Sequence, residues 1–159
     1  MYKWSIVLLL VLVSNARAQG LPSEVDLRAA YCIPIVQETL SETSLFMRDY
    51  APLLPEGKEQ GKELFEKKLS ETATNLRRLQ LYLLPRPPYL DPYGVVAAKK
   101  SGDEDNVRMK ELAKTCDAKC RNVFTNNPYG ALSCVMQCLS NSPVRARARV
   151  CDDLSWLPF

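Results

Sequence analysis

Apolar residues along this chain fall into four runs with helical spacing, separated by segments dense in proline, glycine and polar residues. In the first run Ile33, Val36, Leu40, Met47 and Tyr50 recur at intervals of three, four or seven, the spacing that stacks side chains on one helix face. Pro34 suits the first turn of that helix, where an N–H would lack a partner anyway. APLLPEG, residues 51–57, ends it. Ahead of it, Ser23 to Asp26 reads SEVD and has the form of a capping box for a short helix, with Asp26 in place of the usual Glu. The second run, Glu56 to Leu84, sets Leu64, Phe65, Leu69, Ala73, Leu76, Leu79, Leu83 and Leu84 on one broad face. Gly57 and Gly61 weaken its first turns by about 1 kcal/mol each, so its firm part starts near Lys62.

Residues 85–106 break the rhythm with four prolines and two glycines and end in an acidic cluster. Proline fixes φ and donates to neither helix nor ladder, so this stretch reads as an extended linker. Lys99-Lys100 lies within it as an exposed dibasic pair, a candidate prohormone-convertase site. The third helix is predicted from about Asp103, where acidic residues suit the positive end of a helix dipole. Met109, Leu112, Ala113, Cys116, Cys120, Val123 and Phe124 line one face of it. TNNPYG breaks this helix, and a fourth runs from about Tyr129 to Leu139 with Leu132, Val135, Met136 and Leu139 apolar. The last twenty residues read as irregular apart from a turn around Cys151 to Trp156.

The start of the chain belongs to a different class. Lys3 precedes a run from Trp4 to Val13 that is apolar except for Ser5, and Ala16-Arg17-Ala18 has the small-x-small form of a signal peptidase site. Ten residues are half of the roughly 20 needed to cross a bilayer, so residues 1–18 read as a secretory signal cleaved after Ala18. No later stretch comes closer to a membrane span. Taking 18 residues from 159 leaves 141, enough for one domain with a core, and the formal charge falls from +3 to +1. So small a charge excludes a nucleic-acid binder, which needs a concentrated basic surface.

Six cysteines, an even number in an exported chain, point to three disulfides. Zinc usually also recruits histidine, and the chain has none; redox catalysis prefers a closer C-x-x-C spacing. Cys116/Cys120 and Cys134/Cys138 form two C-x3-C pairs with thirteen residues between them, and residues four apart share a helix face. In an antiparallel hairpin centred on Asn127, Cys116 faces Cys138 and Cys120 faces Cys134, which leaves Cys32 for Cys151. Six cysteines nevertheless admit 15 pairings. The expected fold is all-α: a disulfide-stapled bundle of about four helices, with a helical pair over residues 19–84, the linker over 85–106, and a cysteine-rich hairpin and tail over 107–159.

CRNVF at 120–124, CVMQCL at 134–139 and VCDDL at 150–154 resemble the crustacean hyperglycaemic hormone and ion transport peptide family. The resemblance covers residues 116–154 and implies a small helical domain with three disulfides, a fold also reused in some arthropod venom toxins. Carried over residue by residue, the family pattern pairs Cys116 with Cys134, Cys120 with Cys151 and Cys32 with Cys138. The chain departs from the pattern in having C-x3-C where the family has C-x2-C, in a longer gap before Cys151, and in having no cysteine over residues 102–115. The paired C-x3-C spacing is also similar to plant α-hairpinins and to small mitochondrial Tim chaperones; a secretory signal argues against the latter.

Without histidine the commonest general base and the Ser-His and Cys-His nucleophile pairs are missing. Asp152 and Asp153 are adjacent and diverge, and neither a G-x-S-x-G nor a phosphate-cradling glycine loop occurs, so no enzyme is expected and no cofactor or metal is implied. No N-x-[ST] sequon occurs, so N-glycosylation is not expected. The leading expectation is a secreted hormone-like or toxin-like ligand of an extracellular receptor or ion channel. Arg145, Arg147 and Arg149, with Trp156 and Phe159, are its candidate partner contacts, since Arg and Trp are common interface anchors. The alternative is a secreted carrier of a small apolar ligand, built as a hollow leucine-rich bundle. Insect odorant-binding proteins do this with six cysteines, but their usual gap after the first C-x3-C is longer. Neither reading fixes an oligomeric state.

Overall fold

The computed structural model describes residues 22–49, 59–85, 94–123 and 128–158. The predicted signal with Ala18, and Phe159 at the other end, lie outside them. The described residues form an all-α bundle of five α-helices: α1 (Glu24–Asp49), α2 (Glu59–Leu83), α3 (Val95–Val123), α4 (Pro128–Ser140) and α5 (Pro143–Ala148), followed by a 3-10 turn, Arg149–Cys151.

The SEVD box forms as its sequence predicts. The Ser23 N–H donates to Asp26 Oδ2 at 2.7 Å and the Asp26 N–H donates to Ser23 Oγ at 3.2 Å. It opens not a separate short helix but the whole of α1, so Pro34 stands inside that helix rather than in its first turn. A proline there removes one i→i−4 bond and crowds the preceding turn. α3 makes a close approach to α1 at this point. Gly102 sits so close to α1 that an added Cβ would come 2.3 Å from the Tyr31 carbonyl oxygen and 2.7 Å from Pro34 Cγ. One turn on, Asn106 Nδ2 donates to the Pro34 carbonyl at 2.9 Å.

α3 begins at Val95, eight residues before the predicted start, so the second half of the predicted linker is helical and Lys99 and Lys100 stand exposed on helix. The physical reason is that prolines stop at Pro92, while Ala97, Ala98, Lys99 and Lys100 are good helix formers. Gly102, which reads as a breaker in sequence, is the residue that lets two backbones meet. The tail is also more ordered than expected: α5 and the 3-10 turn fill residues 143–151. Ser142 caps α5, its Oγ accepting from the Arg145 N–H at 3.1 Å, with Pro143 at the first helical position.

α1 is the central element, packed on α2 along one side and α3 along the other, while α4 returns along α3. Tyr82 OH donates to Asp26 Oδ1 at 3.0 Å, fixing α2 antiparallel to α1. Contacts from α1 to α3 advance together, Tyr31 to Asp105 and Glu38 to Lys110, so those two helices run parallel. The core lies in the N-terminal half of α1, where Cys32, Ile35 and Val36 meet Leu79 of α2 and Leu154 and Leu157 of the tail. The far half of the α1–α2 pair leaves Leu45, Leu64 and Phe65 exposed, at 45%, 67% and 38%.

Three disulfides close the bundle: Cys116–Cys138, Cys120–Cys134 and Cys32–Cys151, with Cα separations of 5.9, 5.7 and 5.3 Å. All fall in the range of about 4.4–6.8 Å that a disulfide spans. This is the nested arrangement of an antiparallel hairpin; the crossed pairing implied by the hormone-family resemblance does not form.

Candidate binding cleft and its ionic lock

α5 carries Arg145 and Arg147, the 3-10 turn carries Arg149, and the winding of the backbone separates their directions. Arg147 faces α3 and forks onto Asp105, Nε donating to Oδ2 at 2.9 Å and Nη2 to Oδ1 at 2.7 Å. Asp105 is 1% exposed and also accepts from Tyr31 OH at 2.9 Å and Arg108 Nη1 at 3.2 Å. One buried carboxylate thus collects donors from α1, α3 and α5. The Arg147 hydrogen bonds hold the Asp105 carboxyl below the usual carboxylate range against the opposing effect of burial, with Tyr31 assisting. Burial, followed by the neighbouring Asp105, pushes the Tyr31 phenol up to about 12.

Arg145 and Arg149, four residues apart, turn to the other side. Arg145 Nη2 meets Asp152 Oδ2 at 2.8 Å and Arg149 Nη2 donates to the Ser140 carbonyl at 3.0 Å. Both line a cleft of about 490 Å³ where α1, α3, α4 and α5 meet. Its floor is apolar: Ile35, Met109, Leu112, Ala113, Met136 and Leu139. Ionic groups stand at its edges. Glu38 pairs with Lys110 at 2.6 Å, a bond that raises the Lys110 pKa, and Glu42 lies beside them. Met136, though part of the apolar wall, is 61% exposed.

The residues singled out in sequence therefore have different settings. The three arginines all make intramolecular bonds, and the structure does not gather them into one patch. Trp156 is half-buried against the core, its indole Nε1 donating to the Val150 carbonyl at 3.0 Å, with Arg28 stacked 5.5 Å from the ring centre. All six cysteines are bridged. Among the described residues no group of His, Cys, Asp or Glu side chains could hold a metal ion, and no helix is long and apolar enough to cross a membrane. Sequence reasoning missed the cleft, because the parallel pairing of α1 with α3 leaves no mark in either helix alone. It also missed Asp105, which reads as one more acid in a solvated cluster. The tail read as irregular, although Ser142 followed by Pro143 is a helix-start signature that could have marked α5.

No protein-family model, no curated protein and no solved structure matches the chain.

Proposed function

We propose that this is an exported, disulfide-stapled helical protein that acts by reversible binding rather than catalysis, and that it carries a small, largely apolar ligand in the α1–α3–α4–α5 cleft. The observation that carries this reading is the cleft itself: about 490 Å³, floored by six apolar side chains and edged by charge. Small-molecule sites are commonly concave, of roughly 300–1,000 Å³, mostly apolar, with a few placed polar groups. The signal-like first 18 residues and three disulfides support export. The test is titration of the disulfide-bonded chain with a fluorescent apolar probe. A carrier takes it up saturably and with one-to-one stoichiometry; a flat, non-saturating response refutes the reading.

A second reading, the hormone-like or toxin-like ligand of a receptor or channel, is favoured by the apolar side chains left exposed on the far half of the α1–α2 pair, Leu45, Leu64 and Phe65. In that reading the partner covers this arm, and replacing Leu64 and Phe65 by serine abolishes cell-surface binding while leaving the fold intact.

A further inference from the structure

The cleft is electrically lopsided, and that asymmetry narrows what it holds. At the α1 edge Glu38 is matched by Lys110, with Glu42 close by. At the α4–α5 edge Arg145 is matched by Asp152. Arg149 is different: among the described residues its guanidinium has no carboxylate partner and gives one hydrogen bond to the Ser140 carbonyl. A guanidinium has five N–H donors in a fixed fork that matches a carboxylate, so most of its capacity stays open at the cleft mouth. Beside it the wall is Leu139 and Met136, the latter with most of its surface uncovered.

We infer that the cleft binds a single-chain amphipathic carboxylate, its anionic head on Arg149 and its hydrocarbon tail over Met136, Leu139 and Leu112. This rests on the carrier reading and adds the head group to it. An apolar tail over the floor covers the part of Met136 that the fold leaves in water, 61% of it, together with the exposed part of the half-buried Leu139. A carboxylate head supplies the counter-charge that the fold provides for Lys110 and Arg145 but not for Arg149. A neutral apolar ligand would fill the floor equally well and leave the guanidinium without that partner.

The experiment uses the full disulfide-bonded chain and two probes of identical chain length, a fluorescent polyunsaturated fatty acid and its alcohol, both below their micelle concentrations. The acid is expected to bind saturably at one per chain, and the alcohol about tenfold more weakly, the effect of one charge-assisted hydrogen-bonded contact. Arg149→Gln brings the acid down to the level of the alcohol and leaves the alcohol unchanged, while Arg149→Lys keeps part of the difference. Met136→Asp, a change at an exposed position, weakens both probes. Equal binding of acid and alcohol, unaffected by Arg149→Gln, overturns the head-group assignment and leaves the carrier reading standing. Failure of both probes to saturate overturns the two together. Cosedimentation with anionic lipid vesicles in place of monomeric binding overturns the cleft as the site.

Discussion

Arg147 grips Asp105 across 42 residues with two hydrogen bonds, at 2.9 and 2.7 Å, and through it α5 is locked onto α3. The carboxylate is buried and is shared with Tyr31 of α1, so a single side chain holds three helices in register around the cleft. Removing it should loosen that corner. Asp105→Ala is expected to lower unfolding free energy by about 2 kcal/mol, as charge-assisted hydrogen bonds contribute roughly 1.5–3 each and the released, half-exposed guanidinium regains water. Urea denaturation at neutral pH checks it; an unchanged midpoint would show the lock to be energetically silent.

The same lock sets how stability responds to pH. The folded Asp105 pKa is depressed, so its contribution is fully present above the unfolded aspartate value of about 3.9 and is lost as pH falls through the lower folded value. Tyr31 works in the opposite sense. Its folded pKa is raised to about 12, so its contribution is intact below the ordinary value near 10 and disappears as pH rises from there through about 12. Acid titration of unfolding free energy should lose its steep limb below pH 4 in Asp105→Asn, and one tyrosine should ionise late in a tyrosinate absorbance titration of the native protein.

Gly102→Ala tests the α1–α3 crossing. In an exposed helix this change would stabilise by about 1 kcal/mol. Here the new Cβ meets the Tyr31 carbonyl oxygen at 2.3 Å and cannot be accommodated without moving a backbone. A net loss of about 2 kcal/mol is expected, within the range for overpacking, read as a lower melting temperature. A gain in melting temperature would mean the crossing is looser than described.

The disulfides should not contribute equally. Cys32–Cys151 closes a separation of 119 residues and Cys120–Cys134 one of 14. In the loop-entropy model a closure of about 100 residues contributes roughly 4.7 kcal/mol and one of about 15 residues roughly 3. Paired Cys→Ser variants should therefore rank in that order in denaturant midpoint. Peptide mapping without reduction should recover the nested links; a Cys116–Cys134 fragment would contradict them.

Lys99 and Lys100 lie on α3 three and two residues before the buried Gly102, in hydrogen-bonded helix rather than extended chain. Proteases bind extended segments, so cutting there requires local unwinding of a turn pinned against α1. The native material should show the intact mass of one chain, and Gly102→Ala should speed limited trypsin cleavage at this pair. Rapid cutting of the unaltered protein would place the pair on a strand-like segment after all.

Much of the fold was legible locally. Periodicity marked α1, α2, α3 and α4, the SEVD box formed with Asp26 in the role of Glu, and two C-x3-C pairs symmetric about Asn127 imply a nested hairpin once helices are granted. These are short-range properties: capping, 3.6-residue spacing and sulfur reach are fixed by residues within a turn or a hairpin of one another. Pro34, Gly102 and the arginine-rich tail were read by their ordinary local tendencies, as helix start, break and free loop. Local caps overrode two of these, since the Ser23–Asp26 box carries α1 through Pro34 and Ser142 starts α5 in the tail; tertiary contact gave Gly102 its packing role against α1 and fastened Arg147 onto Asp105. The cleft belongs wholly to that second level. Its floor comes from α1, α3 and α4 and its charged edge also from α5 and the 3-10 turn, so it exists only once helices distant in sequence lie side by side, a matter of packing geometry that no single segment encodes.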